Sequence, residues 1–346
     1  MSTSPTPSVS GPTRAAKLAT LVAELTPQQI PAAVLERARH LILDSVGIAH
    51  ASTHYDFAHR SLSAMTELSA GAGDTPVIGL AAKLSFRDAM LMNGILIHGL
   101  DYDDTHAAGV IHATASTFPC ALGSAAQAGL DGEALLTAYV AGMEVGTRLA
   151  SVAKGGFHQV GFHPTGLIGA FSCALVAGRL FGLNAQQLSM AQGITLSVAS
   201  GSLEFLQDGA WTKRMHPGWA AVAGLTAATM ARHGFKGPDR PYEGRFGVFN
   251  SYLGPLAKDC DLGLATAGLC FPSEAARAGG LHLLMAAGLG GAALFLFAGV
   301  VSQARGSQRL VDLSGLWSSH PLFAGLTFAA VASAAAIPGT AGFVGG

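Results

Sequence analysis

The sequence is poor in charge. Charged side chains make up 12% of its 346 residues, against about 25% in an average soluble domain. The few charges nearly cancel, with 20 Lys and Arg against 21 Asp and Glu. No basic field is left to neutralise a phosphate backbone, so nucleic acid is not an expected partner. Cysteine is scarce as well. Cys120, Cys173, Cys260 and Cys270 form no CxxC pair and read as reduced cytosolic thiols rather than a disulfide frame or zinc site. There is no GxGxxG after a strand, no Walker loop, no GxSxG elbow and no HExxH. Nucleotide cofactors and serine hydrolysis thereby lose their usual support. What is plentiful is apolar: 50% hydrophobic residues and a mean hydropathy of +0.41. That composition excludes intrinsic disorder. The length suits roughly two domains with a core that needs no covalent staple.

Residues 1–14 open with a Ser/Thr/Pro-rich stretch that has no apolar run after a basic start. They read as a disordered tail, not a signal peptide. Leu18, Leu21, Val22 and Leu25 then recur at helical spacing. Thr26-Pro27 reads as the cap and first position of a second helix carrying Ile30, Val34, Leu35, Ala38, Leu41, Ile42, Ser45 and Val46. Further Ala/Leu/Gly-rich stretches cover about 84–100, 117–129, 132–152, 166–181, 185–200 and 217–233. No series of alternating strands stands out. Residues 15–255 are expected to be mainly α, an all-helical domain with small residues at its helix contacts. A junction at 256–277 leads to a hydrophobic helical segment at 278–346. After Leu262 the charged residues are Glu274, Arg277, Arg305, Arg309 and Asp312 alone, and 278–302 and 320–346 are uncharged apolar runs. Each is long enough to span a bilayer, which takes about 20 residues, and Arg305 and Arg309 between them would face the cytoplasm. The plainer alternative is a pair of buried core or dimer-interface helices. The expected location is cytoplasmic, with membrane contact through 278–346.

Polar chemistry gathers in three places. The densest is His98-Gly-Leu-Asp101-Tyr-Asp103-Asp104-Thr105-His106, followed by His112. His98, Asp101 and Thr105 would share one face if the preceding helix continues. The crowded carboxylates need opposing cations or donors, or else Asp103 and Asp104 serve as helix caps. The second place is Gly161-Phe-His163-Pro-Thr165 before an apolar helix. A helix start there favours anions, and His163 is placed to touch a carboxylate or move a proton. The plain reading makes Thr165 an N-cap and His163 a loop residue. The third is Lys213-Arg214-Met-His216-Pro-Gly-Trp219, a compact cationic group that would suit a polycarboxylate, Arg as a clamp and Lys as a point charge, or else is simply a solvated loop. A metal-hydrolase reading of His98, Asp101, Asp104, His106 and His112 is the competing enzyme class. A non-catalytic, membrane-anchored remnant is the competing non-enzyme.

Taken in order, HGLDYDDTH (98–106), GFHPTGLIGAF (161–171) and the stretch from Lys213 to Phe249 resemble the MmgE/PrpD family, which includes 2-methylcitrate dehydratase and cis-aconitate decarboxylase; Leu43-Asp44-Ser45-Val46-Gly47 resembles its early LDxxG turn. The resemblance covers about Ala15 to Leu253. It implies a homodimeric lyase that needs neither cofactor nor metal and acts on a small di- or tricarboxylate by dehydration or decarboxylation. By position it implies Asp101, His112, His163 and Lys213 as catalytic residues and Thr105 as a substrate-binding one. Arg214 and His216, from the cationic group itself, are added as substrate-binding candidates. Lys213 and His163 would hold carboxylates and stabilise developing negative charge. His112, oriented by Asp101, would transfer the proton. The family resembled continues into an α/β lid that supplies a further Lys. Here no Lys follows Lys258, so the expectation is a lid-less core of impaired activity. The tail, above all PGTAGFVG near its end, resembles a fragment of a proton-translocating NADH-quinone oxidoreductase membrane subunit.

Overall fold

A computed structural model of the chain describes residues 11–71 and 73–266. The expected hydrophobic helices, lid and membrane contact of 278–346 lie outside the described residues, as does most of the 1–14 tail. Among the described residues no helix is long and apolar enough to cross a membrane.

The described elements run α1 (Arg14–Glu24), α2 (Ala32–Ser52), α3 (Asp56–Leu68), β1 (Thr75–Val77), β2 (Leu80–Leu84), α4 (Phe86–Ile97), α5 (Ala113–Ala128), α6 (Gly132–Val152), α7 (Gly156–Gln159), α8 (Pro164–Leu180), α9 (Ala185–Thr195), α10 (Thr212–Arg232) and α11 (Val248–Leu253). Their ends follow local chemistry. The Asp131 side chain accepts from Ala134 N at the start of α6, and Asn184 and Gln187 form a capping box at the start of α9. Gly129 closes α5 at φ 65, a left-handed cap that glycine adopts without a Cβ clash.

The core is organised around α8. Of its 17 residues only Arg179 escapes burial, as expected of a helix that is apolar on every side. It packs against α5, α6, α9 and α10. The expected stripe of α1 is present, with Leu18 and Val22 fully buried, each contributing about 1.5–3 kcal/mol of hydrophobic stabilisation. Small residues let backbones meet. A Cβ on Gly94 of α4 would stand 2.4 Å from Gly218 Cα of α10, and one on Gly218 would stand 2.2 Å from the Leu91 carbonyl oxygen. This contact sets the end of α4 beside the start of α10, where His98 and Lys213 lie.

Three expectations need correction. The domain is mostly helical but not all-helical. β1 and β2 pair antiparallel, Thr75 opposite Leu84 and Pro76 opposite Lys83, with an irregularity between Pro76 and Val77. Strands of three and five residues are too short to show a clear alternation. Thr26-Pro27 begins a single 3-10 turn, Pro27–Gln29; α2 starts later, after Pro31. The helix after Leu91 ends at Ile97 and does not run on through Thr105.

Candidate active site

Four helix ends converge. His98 caps the C-terminus of α4. His112 and His163 are the N-cap residues of α5 and α8, and Lys213 is the second residue of α10. Three of these ends are N-termini, where unsatisfied N–H groups favour negative charge. Thr165 lies inside the first turn of α8, not at its cap, and its Oγ1 accepts from His112 N at 3.0 Å, tying the α5 and α8 starts together. The 161–163 segment is held from outside as well. His163 N donates to Gly201 O at 2.9 Å and Leu203 N to Gly161 O at 2.9 Å.

Because α4 stops at Ile97, His98, Asp101 and Thr105 share a loop instead of a helix face. Asp101 sits at φ 61, a left-handed conformation that Asp tolerates better than most residues. There the Lys213 ammonium donates to Asp101 Oδ1. Burial alone would raise the Asp101 pKa, but the Lys213 hydrogen bond and charge, with His98 and His112, outweigh it and hold it below 3.8. The same oxygen lies 3.7 Å from His112 Nε2, a close approach that is too long for a direct hydrogen bond. His112 Nδ1 faces Thr105 Oγ1 at 3.3 Å and Asp103 Oδ1 at 3.8 Å.

Beneath this open layer lies a closed one. His98 Nδ1 is 3.0 and 2.8 Å from the two oxygens of Asp103, and both side chains are shut off from solvent. Asp103 therefore pairs with an imidazole, and Asp104 takes the capping role: its Oδ1 accepts from Thr114 N at 3.0 Å. Burial pushes the Asp104 carboxyl up to about 7, opposed by the Thr114 hydrogen bond. Thr114 Oγ1 is in turn 2.7 Å from the Tyr139 hydroxyl.

His163 and His216 form the third side. Their Nδ1 atoms are 3.1 Å apart, so one ring donates and the other accepts. The His163 ring stacks 5.6 Å from His98 and lies 6.3 Å from His112, with Phe205 6.1 Å away on another side. Burial, followed by repulsion from His98, His216, Lys213 and His112, drives the His163 pKa far below the ordinary imidazole range. Burial first, then His98 and Lys213, push His216 down to about 4. His112 is lowered as well, chiefly by burial, although Asp103 and Asp101 oppose the shift. At neutral pH these three rings are uncharged, each with one nitrogen that can take a proton and one N–H that can donate a hydrogen bond.

Of the expected residues, Lys213 contacts Asp101, Thr105 contacts His112 and His163 contacts His216, and the His112 and His163 rings lie 6.3 Å apart. Arg214 is turned elsewhere: Nε donates to Gly99 O at 2.8 Å, and the guanidinium lies 4.7 Å over the Phe57 ring, so it braces the loop that carries Asp101. For the metal reading, His98, Asp101, Asp103 and His112 each offer an atom within 4.8 Å of the others. Asp104 instead caps α5, while His106 Nδ1 accepts from Gly109 N in its own loop. On Asp101 the positive charge is already supplied by Lys213. Phe57, Phe205 and Tyr139 come from elements with no motif of their own, so nothing in the sequence marks them. His98 and Asp103 stand in the densest motif, but no helical or strand spacing pairs them.

The sequence matches known families and proteins. The MmgE/PrpD N-terminal domain matches residues 16–260. A second match, to the membrane domain of NADH:quinone oxidoreductase and Mrp antiporters, covers residues 260–346. The chain is 30% identical over 246 residues to the cis-aconitate decarboxylase-like protein oryM of Aspergillus oryzae, covering 68% of this chain and 50% of that protein. It is 29% identical over 231 residues to cis-aconitate decarboxylase of Aspergillus terreus, covering 65% and 47%, and 29% identical over 231 residues to the human enzyme, covering 64% and 47%. The chain spans about half the length of these curated relatives. Over residues 16–260, the chain is a member of the MmgE/PrpD family.

Proposed function

We propose that the site carries out lyase chemistry on a small di- or tricarboxylate without a cofactor. The observation that carries this is the pairing of Lys213 with Asp101 at the mouth of a group of uncharged imidazoles. A polyanion needs a cation to hold it. A carbon acid needs an unprotonated base, and a carbanion needs a nearby proton source. Lys213 and His163 hold carboxylates: Lys213 by charge, His163 by an Nε2–H that is present when its Nδ1 accepts from His216. The same donors stabilise the negative charge that builds up next to a carboxylate in the transition state, each well-aimed donor contributing about 2.7–4 kcal/mol. His112 moves the proton, Asp101 positions the Lys213 ammonium beside it, and Thr105 orients its ring. In dehydration, His112 would take a proton from carbon, and the hydroxyl would leave as water on receiving a proton from the Lys213 ammonium; solvent then resets both groups. In decarboxylation, the C–C bond pair would remain on the substrate as CO₂ departs, and the Lys213 ammonium would give that carbon a proton, which solvent then restores to Lys213.

The test is to incubate the full chain with cis-aconitate, 2-methylcitrate and related acids and follow the mixture by NMR. New olefinic signals from one acid support the reading and choose between the two reactions; no turnover and no binding of any acid sinks it. Homodimerisation is proposed with it, since Trp219, Met215 and Phe246 leave apolar surface exposed. Sedimentation at micromolar concentration checks this, and a monomer refutes it.

A second reading concerns residues 260–346 alone. Their match to a membrane domain favours membrane contact by an otherwise cytoplasmic protein. Recovery of the full chain in the membrane fraction, released by detergent but not by salt, would support it; recovery without detergent would end it.

A further inference from the structure

One imidazole of the group has no role in the reading above. His98 is 1% exposed and gives its Nδ1 to both oxygens of Asp103. Its Nε2 is buried with no hydrogen-bond partner, and buried polar atoms left unmatched call for an explanation. The ring stands edge-on to His112 at 4.9 Å. Asp103 is shared between the two rings, because Oδ1 is 3.0 Å from His98 Nδ1 and 3.8 Å from His112 Nδ1. A carboxylate acts most strongly on the group it hydrogen-bonds. His98 takes that bond with both oxygens, and His112 is left with a through-space attraction.

We propose that His98 is a positioning residue for His112: by occupying Asp103 it keeps this carboxylate from pairing with His112, which leaves His112 a neutral base. The groups that face His112 fit this role. Asp101 lies at Nε2, and Thr105 and Asp103 at Nδ1. His98 and His163 stand at the ring face, and Lys213 and His158 act from α10 and α7. Asp101 is committed to Lys213, so Asp103 is the one of these carboxylates that His98 alone restrains. The use of His112 as a base rests on the lyase reading; the control of its ionisation does not.

The experiment is an NMR titration of His112 in the full chain labelled at histidine, comparing wild type, His98→Asn and His98→Ala. Asn keeps an N–H near the position of Nδ1; Ala removes the donor. The His112 midpoint is expected to rise by about one pH unit or more in His98→Ala, the size of shift a newly paired carboxylate produces, and to stay near wild type in His98→Asn. Where the enzyme turns over, the acid limb of its pH profile moves up with the midpoint. If His98→Ala does not fold, the same comparison is made in an Asp103→Asn background, where His98→Asn and His98→Ala should leave the midpoint alike. An unmoved midpoint in folded His98→Ala, or a rise that persists without the Asp103 charge, overturns the proposal. Because the readout is ionisation, its failure is distinct from a failure of turnover.

Discussion

Replacing Lys213 by Met removes one ammonium and keeps most of the apolar stem. The structure separates two consequences. The Asp101 side chain is 55% exposed and that of Lys213 22%, so water screens the pair and its loss costs the fold about 0.2–1 kcal/mol. For a domain of this size that lowers Tm by at most about 4 °C. In the transition state the same ammonium faces developing charge in a site lined by buried rings, and removing one such donor lowers turnover by roughly 10²–10³-fold. The ionisation of Asp101 is followed separately. Its pKa is held below 3.8 in the fold, so its contribution to stability is present above that value and is lost only as pH falls through the lowered folded value. In the variant the Lys213 hydrogen bond and charge that lower it are gone and burial, which raises it, remains, so turnover of both proteins is compared across a pH series. The assay is kcat/KM on the acid that turns over, beside a thermal melt. Turnover within tenfold of wild type would refute the role of Lys213, and a Tm loss well beyond a few degrees would show a structural role instead.

Gly218→Ala is expected to lower Tm and turnover together, since its Cβ would meet the Leu91 carbonyl oxygen at 2.2 Å and push α10, with Lys213, away from α4. Gly47→Ala in α2, where nothing lies within 4 Å, should hold or raise Tm; melts of the two variants, with kcat/KM for the first, decide it, and equal behaviour would contradict the close-packing argument. The pH dependence of stability carries the mark of His216. Its folded pKa, about 4, is below the ordinary 6.5, so between these values the unfolded chain binds a proton that the fold does not, and stability falls as pH drops from about 6.5 towards 4. His216→Asn should flatten that part of a Tm-against-pH curve, and an unchanged slope would show that His216 is not buried in its neutral form.

Much of the site could be read from the sequence because its residues occur in three short clusters at helix ends. Apolar spacing located most of the long helices, and the His and Lys residues stand where those helices begin. The remainder depended on features with no local period. The left-handed turn at Asp101, four residues past the end of α4, aims its carboxylate at Lys213, 112 positions along the chain. Asp103 meets His98 through an irregular loop, so neither helical nor strand spacing pairs them. Arg214 suits a substrate role by composition, yet Phe57 of α3 and the Gly99 carbonyl engage it. The β1–β2 hairpin is too short to show alternation, and α3, which supplies Phe57, is an amphipathic helix without a recognisable start signal.

The central proposition is that Lys213, His112 and His163 surround one polyanionic ligand. It is tested most directly by titrating the histidine-labelled full chain with the unreactive tricarboxylate tricarballylate and following the imidazole signals. The His112 and His163 signals should shift together and saturate at one ligand concentration in the wild type, and that concentration should rise at least tenfold in Lys213→Met. Signals that do not move, or that move no more than with the same concentration of acetate, would contradict it.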